Sequence, residues 1–135
     1  MPAAALEAWA QMLIRNRINR LERLRRKACK QWERGRHVHR LRTHARRLRA
    51  ALEDLSDCVP RAQALIDESK LLGQKTGKVR DADVLAHKLQ RYRRTAFSAE
   101  GSEIDAVCAP LRKQRKAAHK PAKAAVRDAH LKMPS

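Results

Sequence analysis

Residues 37–55, HVHRLRTHARRLRAALEDL, carry two stripes that one α-helix would sort onto neighbouring faces. Val38, Leu41, Ala45, Leu48, Leu52 and Leu55 recur at steps of three and four, the spacing of one face of a helix with about 3.6 residues per turn. His39, Arg42, Arg46 and Arg49 follow the same spacing one residue later and form a basic stripe beside the apolar one. A helix surface normally mixes charge signs, because like charges three or four residues apart repel by about 0.2–0.5 kcal/mol per pair. Arg40 and Arg47 add still more positive charge, so an anion is expected against this helix.

The bias extends to the whole chain. Over 135 residues there are 32 Lys and Arg against 14 Asp and Glu, a formal net charge of +18. Such an excess destabilises the compact state by self-repulsion and favours polyanions: nucleic acid, an anionic membrane surface or an inorganic phosphate polymer. Hydrophobic residues still make up 43%, which fits one folded domain and not a disordered basic tail. Cys29, Cys58 and Cys108 are widely spaced, form no CxxC and read as reduced core thiols. No stretch approaches the roughly 20 apolar residues of a membrane span. The N-terminal MPAAALEAWAQMLIR lacks the basic start of a signal peptide and is interrupted by Glu7. A cytosolic location is expected.

Four amphipathic helices account for the chain. The first is expected over residues 3–33, with an apolar face from Leu6 and Trp9 through Ile14, Ile18, Leu21, Leu24 and Ala28 to Trp32. Its basic stripe, Arg20, Arg23, Lys27, Lys30 and Arg34, is either a solvated face or part of an anion surface. Gly35 ends it, and a short turn makes the second helix, residues 36–57, its antiparallel neighbour. Pro60 closes that helix and suits the first turn of a third over residues 61–94. Gly73, Thr76 and Gly77 predict a kink or break near 73–78. The glycine pair either admits a helix or ligand closely or merely weakens the helix. A fourth helix is expected over residues 103–130, with Ser102 as N-cap, Asp105 in the capping-box position and an interruption at Pro121. No strand pattern appears. The expected fold is all-α: an antiparallel four-helix bundle, one domain over residues 1–131 followed by a short tail at 132–135.

The segment RDADV, residues 80–84, is the second distinctive stretch. Asp81 and Asp83 are two residues apart and do not face each other on a helix, so a paired acid–base site is not expected. Arg80 is spaced to pair with either. The carboxylates are expected to orient arginines of a neighbouring helix from behind the basic surface.

HVHRLRTHARRLRAAL resembles the first signature of the CHAD family (conserved histidine α-helical domain): roughly His, two residues, Arg, three residues, Arg-Arg-Leu-Arg. LLGQKTGKVRDADVL resembles the second, a Leu-Gly-containing helix leading to Arg-Asp-x-Asp-Val. The two stand in the family's order and at its usual distance, and with the flanking helices the resemblance covers nearly the whole chain. It implies a helical bundle that binds inorganic polyphosphate through Arg, Lys and His side chains. By motif position the ligand-facing residues would be His39, Arg42, Arg46 and Arg49, with Arg80 from the second motif. The fourth helix would add Arg112, Arg115, Lys116 and Lys120, and the basic stripe of the first adds Arg20 and Lys27. The resemblance leaves the physiological role open among association with polyphosphate granules, polyphosphate sensing and scaffolding.

The sequence departs from the family pattern in places. Arg36 stands where an acidic residue is common, and Thr43 follows the signature Arg where Val is usual. Family domains are typically built from two similar four-helix halves, and this chain corresponds to one. Either two copies pair to rebuild an eight-helix arrangement, which is the expectation, or one half functions alone.

Other chemistries fit less well. His37, His39 and His44 lack the i, i+4 pairing of helical metal sites, and the surrounding arginines repel cations, so no metal or other cofactor is expected. Phosphoryl transfer needs carboxylates around a divalent cation, and here the acids are scattered, with no Walker-type loop. A non-catalytic binding module is expected. Non-specific nucleic-acid binding is the alternative, since charge alone gives salt-sensitive association, though aromatics for base stacking are nearly absent. An anion beside His39 would favour its protonated form, so binding is expected to strengthen below neutral pH.

Overall fold

The computed structural model describes residues 2–95 and 98–133. Its elements are α1 (Ala3–Lys30), α2 (Gly35–Asp54), a single 3-10 turn (Ser56–Cys58), α3 (Ala62–Thr95) and α4 (Ser98–Asp128), with no strand among the described residues. Each helix packs antiparallel against the next, and α1 closes the bundle against α4. Side-chain register records the direction. Arg25 of α1 donates to the carbonyls of Val126 and Arg127 at 3.2 and 3.1 Å, while Trp32, just past the end of α1, reaches His119, further back on α4. Arg93 binds Asp105 at 3.1 Å near the α3–α4 hairpin, and Asp83, further back on α3, receives Arg115 from further along α4 at 2.7 Å.

The apolar stripe of α2 is the centre of the core. Leu41, Leu48 and Leu52 are fully buried against Ile14 and Leu21 of α1, Val79 of α3 and Val126 of α4. Leu131, past the end of α4, folds back into the same cluster. Cys29, Cys58 and Cys108 are unpaired and half-buried, and Cys29 packs against this cluster. No helix among the described residues is long and apolar enough to cross a membrane.

Helix ends differ from the sequence expectation wherever tertiary packing decides them. α1 stops at Lys30 and not at 33, because Trp32 leaves the helix and turns into the bundle, 7% exposed. α2 ends at Asp54, its last expected turn tightening into the 3-10 segment. α4 begins at Ser98, so Ser102 lies inside the helix and is not its N-cap. It also runs unbroken through Pro121 to Asp128. An internal proline costs about 3 kcal/mol. Ala122 and Val126 directly beyond it are fully buried, and Arg25 caps the carbonyls at the helix end.

Of the kink or break expected at 73–78, the break does not occur: α3 is continuous from Ala62 to Thr95. Each interior glycine costs about 0.5–1 kcal/mol relative to alanine. Leu72 and Val79 are buried on either side of the pair, and burying one such side chain stabilises by about 1.5–3 kcal/mol. The burial outweighs the glycines. Thr76, also fully buried, satisfies its hydroxyl within the helix by donating to the Leu72 carbonyl at 2.7 Å.

Gly35 at the start of α2 lies beside Asp83, so α3 beyond that point and the first part of α4 extend past the α1–α2 turn. Within this hairpin, from residue 84 to 118, Gly101 alone is buried among the residues whose side chains are described. Leu85, Tyr92 and Val107 are exposed there.

Candidate functional site

The signature stripe sits one residue off the core face of α2, on the side where α3 packs. Arg42, Arg46 and Arg49 line a groove of about 420 Å³ there, together with Ala45 of α2 and Ser69, Lys70, Gly73 and Gln74 of α3. None of the lining residues is acidic. Arg49 Nε lies 3.1 Å from Glu53 Oε1, an exposed i, i+4 pair worth only about 0.3–0.5 kcal/mol. That pair yields easily to a multivalent anion.

Arg42 lies deeper. It is half-buried, and its Nε is shielded from solvent with no hydrogen-bond partner in the protein. Its guanidinium rests over Gly77, where an added Cβ would stand 3.3 Å from Nη2. Gly73 has open space beside it, with nothing within 4 Å of an added Cβ. Gly77 therefore lets Arg42 approach the α3 backbone, whereas Gly73 only lines the groove. A shielded, unpaired N–H on a cation costs about 1–3 kcal/mol or more, which an anionic oxygen entering the groove would recover.

The remaining candidate residues do not converge on this groove. His39 is exposed near the start of α2 and outside the lining, its backbone carbonyl accepting Thr43 Oγ1 at 3.0 Å. Arg80 is half-buried, one helical turn from both Gly77 and Asp83, and among the described residues it pairs with neither Asp81 nor Asp83. Arg20 and Lys27 lie on α1, where their charges bear on His44 and His37 of the opposite flank of α2. Arg112, Arg115 and Lys116 line a second pocket of about 560 Å³ with Trp32, Glu33, Lys113, Asp83 and His119. Lys120 is exposed on α4 and outside that lining, and Asp81 is exposed on α3. The two flanks of α2 face different helices, so the groove arginines and Arg20 with Lys27 lie apart, Arg112, Arg115 and Lys116 gather at Asp83, and His39, Arg80, Lys120 and Asp81 join none of these groups.

The second pocket contains a strut. Asp83 Oδ1 accepts Arg115 Nε at 2.7 Å and stands 3.5 Å from His119 Nε2. The Trp32 indole N–H donates to His119 Nδ1 at 2.7 Å. An indole N–H cannot accept, so Nδ1 is the bare nitrogen and the imidazole proton sits on Nε2, toward Asp83. Nε2 is buried and makes no hydrogen bond, so the contacts are two separate ties: Trp32–His119 joins the α1–α2 turn to α4, and Asp83–Arg115 joins α3 to α4.

Lys70 and Gln74 were missed from sequence. Their signal was available: Lys70, Gly73, Gln74 and Gly77 recur at three and four along α3. What the spacing could not reveal was which neighbour that flank faces.

A family model described as CHAD domain matches residues 4–133. The chain belongs to the CHAD domain family. No curated protein and no solved structure matches it. CHAD domains are associated with polyphosphate binding. In this CHAD domain the first signature supplies the three groove arginines, and the second supplies the seat at Gly77 and the carboxylate of Asp83.

Two histidines of this CHAD domain have surroundings that disfavour the charged form. His37 is 2% exposed, and Gln31 Oε1 lies 2.7 Å from its Nε2, which assigns the proton to Nε2 and leaves the buried Nδ1 without a partner. Burial lowers its pKa from the ordinary 6.5, and Arg36, Lys27, Arg34 and Arg40 lower it further. His44 is lowered in the same way, by burial first and then by Arg20, Arg47, Arg40 and Arg17. For a depressed histidine the unfolded chain binds the proton first, so its contribution is complete above about 6.5 and is lost as pH falls below that value. The melting temperature of the ligand-free protein is therefore expected to drop between pH 7 and pH 5. His37→Gln, which keeps a donor toward Gln31, should flatten that drop; an unchanged slope in thermal melts would show that His37 does not carry it.

Proposed function

We propose that this CHAD domain binds inorganic polyphosphate without catalysis, along the groove between α2 and α3. The observation that carries this reading is the convergence of Arg42, Arg46, Arg49 and Lys70 on one groove with no acidic residue in its lining. Polyphosphate offers about one negative charge per phosphate and no bases. Arginine's planar fork matches phosphate oxygens in pairs, and lysine adds a point charge. Helices held by a buried core keep these groups at fixed spacing without ligand. The groove has no carboxylate to hold a divalent cation, and Ser69 spends its hydroxyl on the Leu65 carbonyl at 2.9 Å. Both features favour binding over phosphoryl transfer.

The deciding experiment is a titration with long-chain polyphosphate in excess duplex DNA and single-stranded RNA at near-physiological salt. Retained binding supports a dedicated site. Equal displacement by either nucleic acid would reduce the groove to a general polyanion surface. The exposed aromatics Trp9 and Tyr92 do not line the groove, so bases would find no stacking platform in it.

The glycine pair gives an internal control. Gly73→Ala and Gly77→Ala should each stabilise α3 by about 0.5–1 kcal/mol. Gly77→Ala should also weaken polyphosphate binding, because the new methyl displaces the Arg42 guanidinium, whereas Gly73→Ala should bind as the parent does. Equal affinities for the two variants would show that the seat over Gly77 is dispensable.

A second copy of the chain is the proposed partner for the α3–α4 hairpin, whose Leu85, Tyr92 and Val107 are uncovered. A monomeric mass by light scattering, with and without polyphosphate, would remove this part of the reading.

A further inference from the structure

α2 has a second basic flank, turned from the groove toward α1. Arg40, His44 and Arg47 recur on it at steps of four and three, and the charges of Arg17 and Arg20 of α1 act on the same imidazole. Arg40 and Arg47 flank His44 at one helical turn on either side, and Arg17 and Arg20 share one flank of α1 at a spacing of three. Arg17 Nε is shielded from water and has no acceptor in the protein. Like charges on adjacent turns repel, and a buried N–H without an acceptor is costly.

We propose that the α1–α2 seam is a second oligophosphate seat, separate from the α2–α3 groove, with Arg17, Arg20, Arg40 and Arg47 as its phosphate ligands. A lone carboxylate or monophosphate would engage one or two of these groups. Four guanidiniums spread over two helices match several linked phosphates, each taking a planar fork. Thr43 and Ala50 lie between the two flanks on the outer side of α2, so the seats are distinct and can fill together. The seam shares the ligand chemistry proposed for the groove but none of its residues. His44 acts as the seam's own reporter: Arg20, Arg17, Arg40 and Arg47 now disfavour its protonated form, and an anion seated among them favours it.

Calorimetric titration with inorganic tripolyphosphate, paired with NMR of the imidazole nitrogens across pH, tests the proposal. The wild-type chain is expected to take two tripolyphosphates, with His44 protonating at higher pH when ligand is present. Arg46→Ala with Arg49→Ala should keep one site and the His44 response. Arg40→Ala with Arg47→Ala, both exposed residues, should keep one site and lose the response, and Arg17→Ala should weaken that site alone. ATP in parallel separates the possible occupants, the tighter binder identifying an inorganic chain or a nucleotide's phosphate tail. A His44 titration unmoved by saturating tripolyphosphate would overturn the second seat, as would wild-type stoichiometry in Arg40→Ala with Arg47→Ala. Failure of the groove reading shows separately, as an undiminished site count in Arg46→Ala with Arg49→Ala.

Discussion

Alanine at Arg42, Arg46 and Arg49 together is expected to weaken polyphosphate binding by about a hundredfold or more and to leave the fold intact. A hydrogen bond to a charged group contributes about 1.5–3 kcal/mol, and every 1.4 kcal/mol is about a factor of ten in affinity. Even if coupling between neighbours halves the sum of three such losses, about two orders of magnitude remain. Stability should move little. Arg46 and Arg49 are exposed, and losing the Arg49–Glu53 pair is offset by relief of repulsion between arginines on adjacent turns. The salt dependence of binding should flatten as well, since fewer contacts release fewer counterions. The charge-matched control is Arg26→Ala, Lys30→Ala and Lys123→Ala, three exposed residues outside the groove. If the control loses as much affinity as the groove variant, total charge and not groove geometry carries the binding.

How much of this was legible beforehand depends on what each feature answers to. The helical stripes of α2 are local properties of the chain, so both its buried face and its three groove arginines could be read directly. The ends of α1 and the continuity of α3 and α4 are tertiary decisions. Trp32 leaves its helix for a hydrogen bond to His119, far along the chain, and no window around residue 32 contains that partner. Gly73, Gly77 and Pro121 carry real local penalties that burial of Leu72, Val79, Ala122 and Val126 overrides. The same distinction separates the site residues. Spacing placed Arg20 and Lys27 on one stripe, yet only packing shows that this stripe meets the flank of α2 opposite the groove. The RDADV carboxylates were read as holders of arginines on another helix; Asp83 holds Arg115 of α4, while Asp81 is exposed. Arg80, which adjacency made a natural partner for either, pairs with neither among the described residues.

Leu48→Ala is expected to cost about 2–5 kcal/mol, because Leu48 is fully buried at the centre of the α2 stripe and its loss leaves a cavity. Domains of this size hold a margin of only about 5–15 kcal/mol, and a net charge of +18 draws on that margin through self-repulsion. The melting temperature should fall by on the order of 10 °C. Polyphosphate should restore much of the loss, since a ligand at a hundredfold excess over its Kd stabilises the folded state by about 2.7 kcal/mol when it binds that state alone. This condition makes the measurement informative about function. An unfolded chain with the same charge also attracts a polyanion, so a purely electrostatic association would stabilise both states and leave the melting temperature nearly unchanged. A groove that exists only when α2 lies against α3 raises it. The rise should therefore appear in the parent and in Leu48→Ala, and should shrink when Arg42, Arg46 and Arg49 are also alanine. Melting curves by circular dichroism with and without polyphosphate decide the matter. No rise in either protein would mean that the arginines act as loose charge and not as a folded site.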